Sequence, residues 1–333
     1  MQTLLTKANY DFDTIKEFLQ DDLRKVNQIV SKELKTEVSL INDLSEHIIS
    51  SGVKKIRPII TLISSHVCDY NDDNKHIVLA AAVEFIHTAT LLHDDVIDES
   101  KMRRGEATAN DLFGNKASVL VGDFLFTRAF ELMVSCQSLE ILRILSRASA
   151  IIAQGEVLQL STINDCSTSE EKYLEVVNSK TASLFSAAAE IGPILSKKGN
   201  KERLALKNYG EKLGVAFQLI DDALDYTGTE SMGKTTGDDF REGKLTLPII
   251  ECIRNASNKE KTFWIRTMEK LDQNEEDFNL ATNLIKRHNA IEITKNKAKE
   301  NINQALKELK IFPNSKWKSA LESLAVIAIH RTK

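Results

Sequence analysis

Apolar residues recur at three- and four-residue steps along nearly the whole of this chain, and little in the sequence interrupts them. Between Asp11 and Ile49 they include Ile15, Phe18, Leu19, Leu23, Val26 and Ile29, the stripe of an amphipathic helix. Turn formers are scarce, with 13 Gly and 4 Pro in 333 residues. Such a chain cannot make the many hairpins of a sandwich, barrel or propeller. Long helices with short connections remain, and the length is ample for a large core. Pro58 belongs in the first turn of a helix, where its missing N–H does no harm. The pattern predicts further helices over 76–98, 116–135, 138–162, 169–196, 202–227, 244–256, 259–271, 277–288, 290–310 and 314–331. Helix 76–98 is apolar nearly all round until His93, so it should lie in the middle of the others. No linker, repeat or low-complexity segment divides the chain, and residues 1–333 read as a single all-α domain.

Composition narrows the partners. The 44 Lys and Arg against 48 Asp and Glu leave a net charge of −4. No basic excess points to nucleic acid. Cys68, Cys136, Cys166 and Cys252 are scattered, with neither metal-type spacing nor a disulfide framework, which predicts free thiols in a reducing compartment. The first residues turn acidic at once, unlike a secretory or transit peptide. The most apolar stretch, Ile77 to Leu92, carries Glu84 and His87 and is too short to span a bilayer. The expected location is the cytoplasm.

Two segments carry the chemistry. Asp94-Asp95-Val96-Ile97-Asp98 and Asp221-Asp222-Ala223-Leu224-Asp225 both read DDxxD, and each ends an apolar helix. With 21 Asp in the chain, random order gives one such pattern about 0.08 times, so a pair is not accidental. Positions i and i+4 share a helical face, which projects Asp94 with Asp98 and Asp221 with Asp225. Carboxylates crowded at a helix C-terminus repel one another and meet the negative end of the helix dipole. Something positive must offset this. Oxygen-only ligands favour a hard cation, and Mg²⁺ takes one or two carboxylates together with phosphate oxygens. With no Cys or His cluster beside them, zinc is disfavoured. Two carboxylate clusters facing a diphosphate, with Mg²⁺ between, is the expected site.

Basic residues surround these motifs in sequence. Lys54, Lys55 and Arg57 lie in SGVKKIRP, Arg103 and Arg104 follow the first cluster, and Lys180, Lys234 and Lys244 lie in SKTA, MGKTTGDD and EGKLTLP. Singly, each is an ordinary surface charge. Grouped around two acidic clusters they make diphosphate clamps, Arg bidentate and Lys as a point charge.

With these motifs in hand, the chain resembles a trans-type polyprenyl diphosphate synthase, most closely the bacterial octaprenyl group. The likeness runs in order through GVKKIRP, HTATLLHDDVIDES, MRRGEATAN, VGDFLFTRAF, QGEVLQL, SKTA, FQLIDDALDY and GDDFREGKLTLP. Val53 departs from the family, where many relatives have a second Gly. The resemblance implies an all-α prenyltransferase bundle around a central cavity, usually a homodimer. It implies that Asp94, Asp95 and Asp98, with Asp221, Asp222 and Asp225 opposite, hold two or three Mg²⁺ ions on an allylic diphosphate. Lys54, Arg57, His87 and Arg104 match binders of isopentenyl diphosphate. Arg103, Lys180, Thr181, Gln218 and Lys244 match allylic-side groups, joined by Lys234. His93 has no such match and reads as structural.

The implied reaction needs no nucleophilic side chain. The C–O bond to diphosphate breaks, the isopentenyl double bond attacks the allylic cation, and the departing diphosphate takes the proton. An apolar cavity keeps water from the cation. Thr90 lies one turn, about 5.4 Å, before Asp94, with Ala89 beside it. In the family, aromatic groups at these positions stop the chain early, so these small residues imply a long product of seven to ten isoprene units, eight favoured by closeness of match, for a quinone side chain. Met133 and Leu145 match positions near the tunnel floor, though ordinary core packing reads equally well for Leu145. Farnesyl diphosphate is the expected primer. The product implies transient membrane association at release. A terpene cyclase or a head-to-head condensing enzyme would not usually show the SGVKKIRP segment together with the paired arginines. A non-catalytic partner subunit would typically lose aspartates or clamps, and a di-metal carboxylate bundle needs Glu-x-x-His pairs that are missing.

Overall fold

The computed structural model describes residues 8–50, 55–103, 105–227 and 236–331. The described residues are almost entirely helical. The helices are α1 Phe12–Phe18, α2 Gln20–Glu33, α3 Ser39–Ser50, α4 Ile56–Val67, α5 Lys75–Ile97, α6 Ala109–Phe113, α7 Asn115–Ser135, α8 Leu139–Leu160 and α9 Glu170–Val177. They continue as α10 Ser183–Leu195, α11 Asn200–Asp225, α12 Asp238–Arg241, α13 Leu247–Arg254, α14 Asn258–Trp264, α15 Asp277–Arg287, α16 Ala290–Glu308 and α17 Lys316–His330. The strands are β1 Met102–Arg103 and β2 Glu106–Ala107, an antiparallel ribbon.

The central position predicted for the 76–98 helix is where α5 lies. It is surrounded by α2, α4, α7 and α10, and Leu79, Ala80, Ala81, Ala82, Val83 and Ile86 have no exposed surface. By length and apolar content α5 is able to cross a membrane, but 72% of its apolar window is buried inside the protein. That burial is what a core helix shows. No other helix among the described residues is both long and apolar enough to cross. On the far side, α11 packs on α10, α16 and α17. The bundle therefore has two inner helices, α5 and α11, with α10 touching both. All four cysteines are free.

Several boundaries differ from the sequence pattern. The stripe from Asp11 to Ile49 is broken twice. Leu19 leaves helical geometry while its side chain stays in the core, separating α1 from α2. The second break, before α3, is closed by a reciprocal pair between Thr36 and Asn42. Pro58 sits in the first turn of α4, two residues past its start. The 169–196 helix is interrupted by a π turn over Asn178–Ala182, where five residues fill a space meant for four. Short α6, short α12 and the two-residue strands were invisible to periodicity because none completes a repeat.

Candidate functional site

The two DDxxD motifs end the two inner helices. Asp94 and Asp95 are in the last turn of α5 and Asp98 is its C-cap. Each carboxylate of this cluster faces a cation. Arg103 on β1 reaches back to Asp95 Oδ1 with Nε at 2.8 Å and Nη2 at 2.7 Å. Lys180 Nζ lies 3.6 Å from Asp94 Oδ2. Lys244 Nζ donates to Asp98 Oδ2 at 2.8 Å and meets Glu242 Oε2 at 2.6 Å. These three cations answer the repulsion and the helix dipole that the motif alone left unbalanced.

The α11 cluster is held differently. Asp222 is buried, and it accepts from the Tyr173 hydroxyl of α9 and from Gln218 Nε2 at 2.8 Å. Gln218 Oε1 in turn accepts from Thr181 Oγ1 at 2.8 Å. Asp225 accepts from the backbone N–H groups of Gly237, Asp238 and Asp239 at 3.2–3.3 Å. Asp221 Oδ1 meets Arg331 Nη2 at 3.2 Å. The same Arg331 nitrogen donates to the Phe217 carbonyl, and its guanidinium lies over the Phe217 ring.

One turn ties the clusters together. Lys180 and Thr181 are neighbours in the π turn, and they reach Asp94 on one side and Gln218–Asp222 on the other. A π turn is a frequent device at functional sites. Gly155 of α8 lets it come close, because a Cβ there would stand 2.9 Å from the Lys180 backbone nitrogen. The next residue, Glu156, then accepts from Lys180 Nζ at 2.6 Å.

Burial and crowding shift the acids. Burial, with the Asp94 charge added, pushes the Glu156 carboxyl up to about 7 against the pull of Lys180. Burial likewise pushes Asp222 up to about 7, opposed by its bonds to Tyr173 and Gln218 and reinforced by Asp221 and Asp225. Asp239, half-buried beside Asp225 and Asp222, loses hydration there and is driven well above the carboxylate range. Burial also raises Asp95, although Arg103 opposes it. Lys180 is raised: burial works against its charge, but Asp94 and Glu156 outweigh that. Asp94 Oδ1 and Glu156 Oε1 are buried without a donor. An all-oxygen set carrying surplus negative charge and donor-less buried oxygens suits a hard divalent cation, and the residues present fit Mg²⁺.

The remaining sequence candidates fall as follows. Arg57, half-buried in the first turn of α4, lies over the Phe185 ring at 4.6 Å. His87 is half-buried on α5. Thr90, half-buried, donates to the His87 carbonyl at 2.7 Å. Ala89, Met133 and Leu145 have no exposed surface. His93 lies against the Val119 carbonyl and Asp123 of α7, a packing role. Thr181 and Gln218, expected on a substrate, here brace Asp222, and Arg103 here braces Asp95. Lys54, Arg104 and Lys234 lie outside the described residues. Sequence reasoning missed Glu156, Tyr173, Asp239, Glu242 and Arg331. Glu156, Asp239 and Glu242 stood inside QGEVLQL and GDDFREGKLTLP, so the motifs held the signal. Tyr173 and Arg331 have no local signal at all.

The polyprenyl synthetase family model matches residues 38–285. Over 324 residues the chain is 44% identical to the octaprenyl diphosphate synthase of Escherichia coli (strain K12), covering 97% of this chain and 100% of that one. A polyprenyl synthase from Caulobacter crescentus CB15, solved in complex with calcium and isoprenyl diphosphate, superposes with a TM-score of 0.95 at 44% identity, covering 98% of this chain and 100% of the other. A decaprenyl diphosphate synthase from Rhodobacter capsulatus gives 0.92 at 43% identity, covering 97% and 100%.

Proposed function

This chain belongs to the polyprenyl synthetase family and has its all-α isoprenoid synthase fold, and from that premise we propose a repeated condensation of isopentenyl diphosphate onto an allylic primer, farnesyl diphosphate, giving all-trans octaprenyl diphosphate. The observation that carries this reading is the pair of carboxylate clusters joined through Lys180 and Thr181, with a cation on each acid of the first cluster. A diphosphate with its metals belongs between such groups.

In this reading Asp94 and Asp98 face Asp221 and Asp225 as metal ligands, with Asp95 and Asp222 completing the two sets. Bound Mg²⁺, two or three ions per site, would neutralise charge developing on the leaving diphosphate. The divalent metal in the Caulobacter crescentus relative supports this. Lys180, Lys244 and Arg103 hold the allylic diphosphate, together with Lys234, and Thr181 and Gln218 keep Asp222 in place beneath it. Lys54, Arg57, His87 and Arg104 hold isopentenyl diphosphate. The departing diphosphate takes the proton. The small Ala89 and Thr90 leave the growing tail room, and Met133 with Leu145 forms the floor. We read the chain as one catalytic domain acting as a homodimer in the cytoplasm, with a product destined for a membrane as a quinone side chain.

Purified protein given farnesyl diphosphate, labelled isopentenyl diphosphate and Mg²⁺ should yield a C40 product by chromatography, and none with a chelator. A shorter product would keep the chemistry and move the floor towards Thr90. No product from any allylic primer would overturn the synthase reading. Met133→Ala should lengthen the product, and an unchanged length would return Met133 to plain core packing.

A further inference from the structure

Three helix ends meet at the opposite end of α5 from the aspartates. Asp22 lies in the first turn of α2, His66 in the last turn of α4 and His76 in the first turn of α5. His76 precedes Asp94 by 18 residues, about 27 Å along the helix, so this cluster is separate from the diphosphate site. His66 Nε2 lies 2.6 Å from Asp22 Oδ2, and His76 Nε2 lies 3.9 Å from the same oxygen. All three donor atoms fall within 4.8 Å of one another.

The third member packs edge-on against the Tyr70 and His66 rings. His76 is only 7% exposed. Its Nδ1 is buried without a hydrogen-bond partner of good geometry, although the Asp73 backbone lies beside it. A proton on Nδ1 leaves the Nε2 lone pair turned towards Asp22, at a distance too long for a hydrogen bond. Burial favours the neutral ring, against the pull of Asp22, and neutral imidazole is the ligating form. Two imidazoles and one carboxylate suit a borderline transition metal and are a poor match for Mg²⁺.

We propose that Asp22 Oδ2, His66 Nε2 and His76 Nε2 bind a divalent transition-metal ion of the Zn²⁺ class, stapling α2, α4 and α5. Donor atoms around such an ion stand about 3.3 Å apart at the usual bond lengths. The His66–Asp22 contact of 2.6 Å must therefore open by about 0.7 Å, the His76–Asp22 separation of 3.9 Å must close by about 0.6 Å, and the proton between His66 and Asp22 must leave. The three donors leave a fourth position for water. Trp317 of α17 stacks on the His66 ring, with centroids 4.3 Å apart, and so reports on the site.

The test uses the full chain in millimolar Mg²⁺, which occupies the oxygen sites, with Zn²⁺ or Co²⁺ added alone. Calorimetry should show one tight equivalent of Zn²⁺ with a raised Tm, and Co²⁺ should quench tryptophan fluorescence. His76→Gln and Asp22→Asn should each weaken Zn²⁺ binding at least about tenfold and abolish the Tm rise. No bound equivalent, or unchanged affinity in folded variants, would overturn the site and leave a plain His66–Asp22 pair. Should the variants fold poorly, X-ray absorption on the Zn²⁺-loaded native chain decides. Two imidazole nitrogens are expected, and an all-oxygen shell refutes the assignment.

Discussion

The ends of α5 and α11 carry the same five-residue pattern, yet the protein treats them in opposite ways. At α5 each acid has its own cation: Asp94 with Lys180, Asp95 with Arg103, Asp98 with Lys244. Among the described residues, Asp221 at α11 meets a guanidinium, Arg331, while neutral donors hold Asp222 and reach Asp225. The half-buried Asp239 stands beside them, its carboxyl driven well above the usual carboxylate range. Among the described residues, cations thus hold the first cluster, and mainly neutral donors hold the second. One turn upstream the ends differ again: Thr90 precedes Asp94, whereas Phe217, lying under Arg331, precedes Asp221. The side chain at this position is small on α5 and large on α11.

Each part of this contrast can be broken by experiment. The largest effect should come from Asp94→Ala and Asp221→Ala, each lowering turnover at least about 10²–10³-fold because charge stabilisation at the leaving group is lost. Near-normal incorporation of isopentenyl diphosphate by either variant would dissolve the two-cluster site. Thr90→Phe should next shift the product towards fifteen or twenty carbons on chromatography. Ala89→Phe should do the same, but Ala89 has no exposed surface, so overpacking there costs about 1–3 kcal/mol and Thr90 is the cleaner probe. An unchanged product would remove the steric difference between the helix ends. Tyr173→Phe deletes a donor to a buried carboxylate and should reduce kcat/KM about tenfold, in keeping with hydrogen bonds to charged groups. An unaffected variant would show that Asp222 needs no support from α9.

The smallest effect is on stability. Glu156 and Asp222 are both raised to about 7 in the folded protein. Between their ordinary values and about 7 the native state holds protons that the unfolded chain has lost. Stability in chelator should therefore fall as pH rises from about 5 to 7.5. Glu156→Gln should flatten that slope, and Mg²⁺ with diphosphate should oppose it. A Tm that climbs over this window would contradict the surplus charge at the site.

Much of this was legible in the residues. Helical periodicity and the poverty of Gly and Pro fix the all-α class, because both act over a few residues. The two aspartate motifs are read off by spacing, and their position at helix ends follows from the apolar runs before them. The pairing is another matter. Arg103 on Asp95 spans eight residues, but Lys244 on Asp98 spans 146 and Arg331 on Asp221 spans 110. No local pattern encodes such distances. The π turn at Lys180 arises where Gly155 lets α8 come close, and Asp22, His66 and His76 meet only because three helices end at one place. Sequence by itself determined which groups are present and on which helix face; only the packing of α5, α10 and α11 decided which charges would stand together, since electrostatic pairing depends on separation in space and not along the chain.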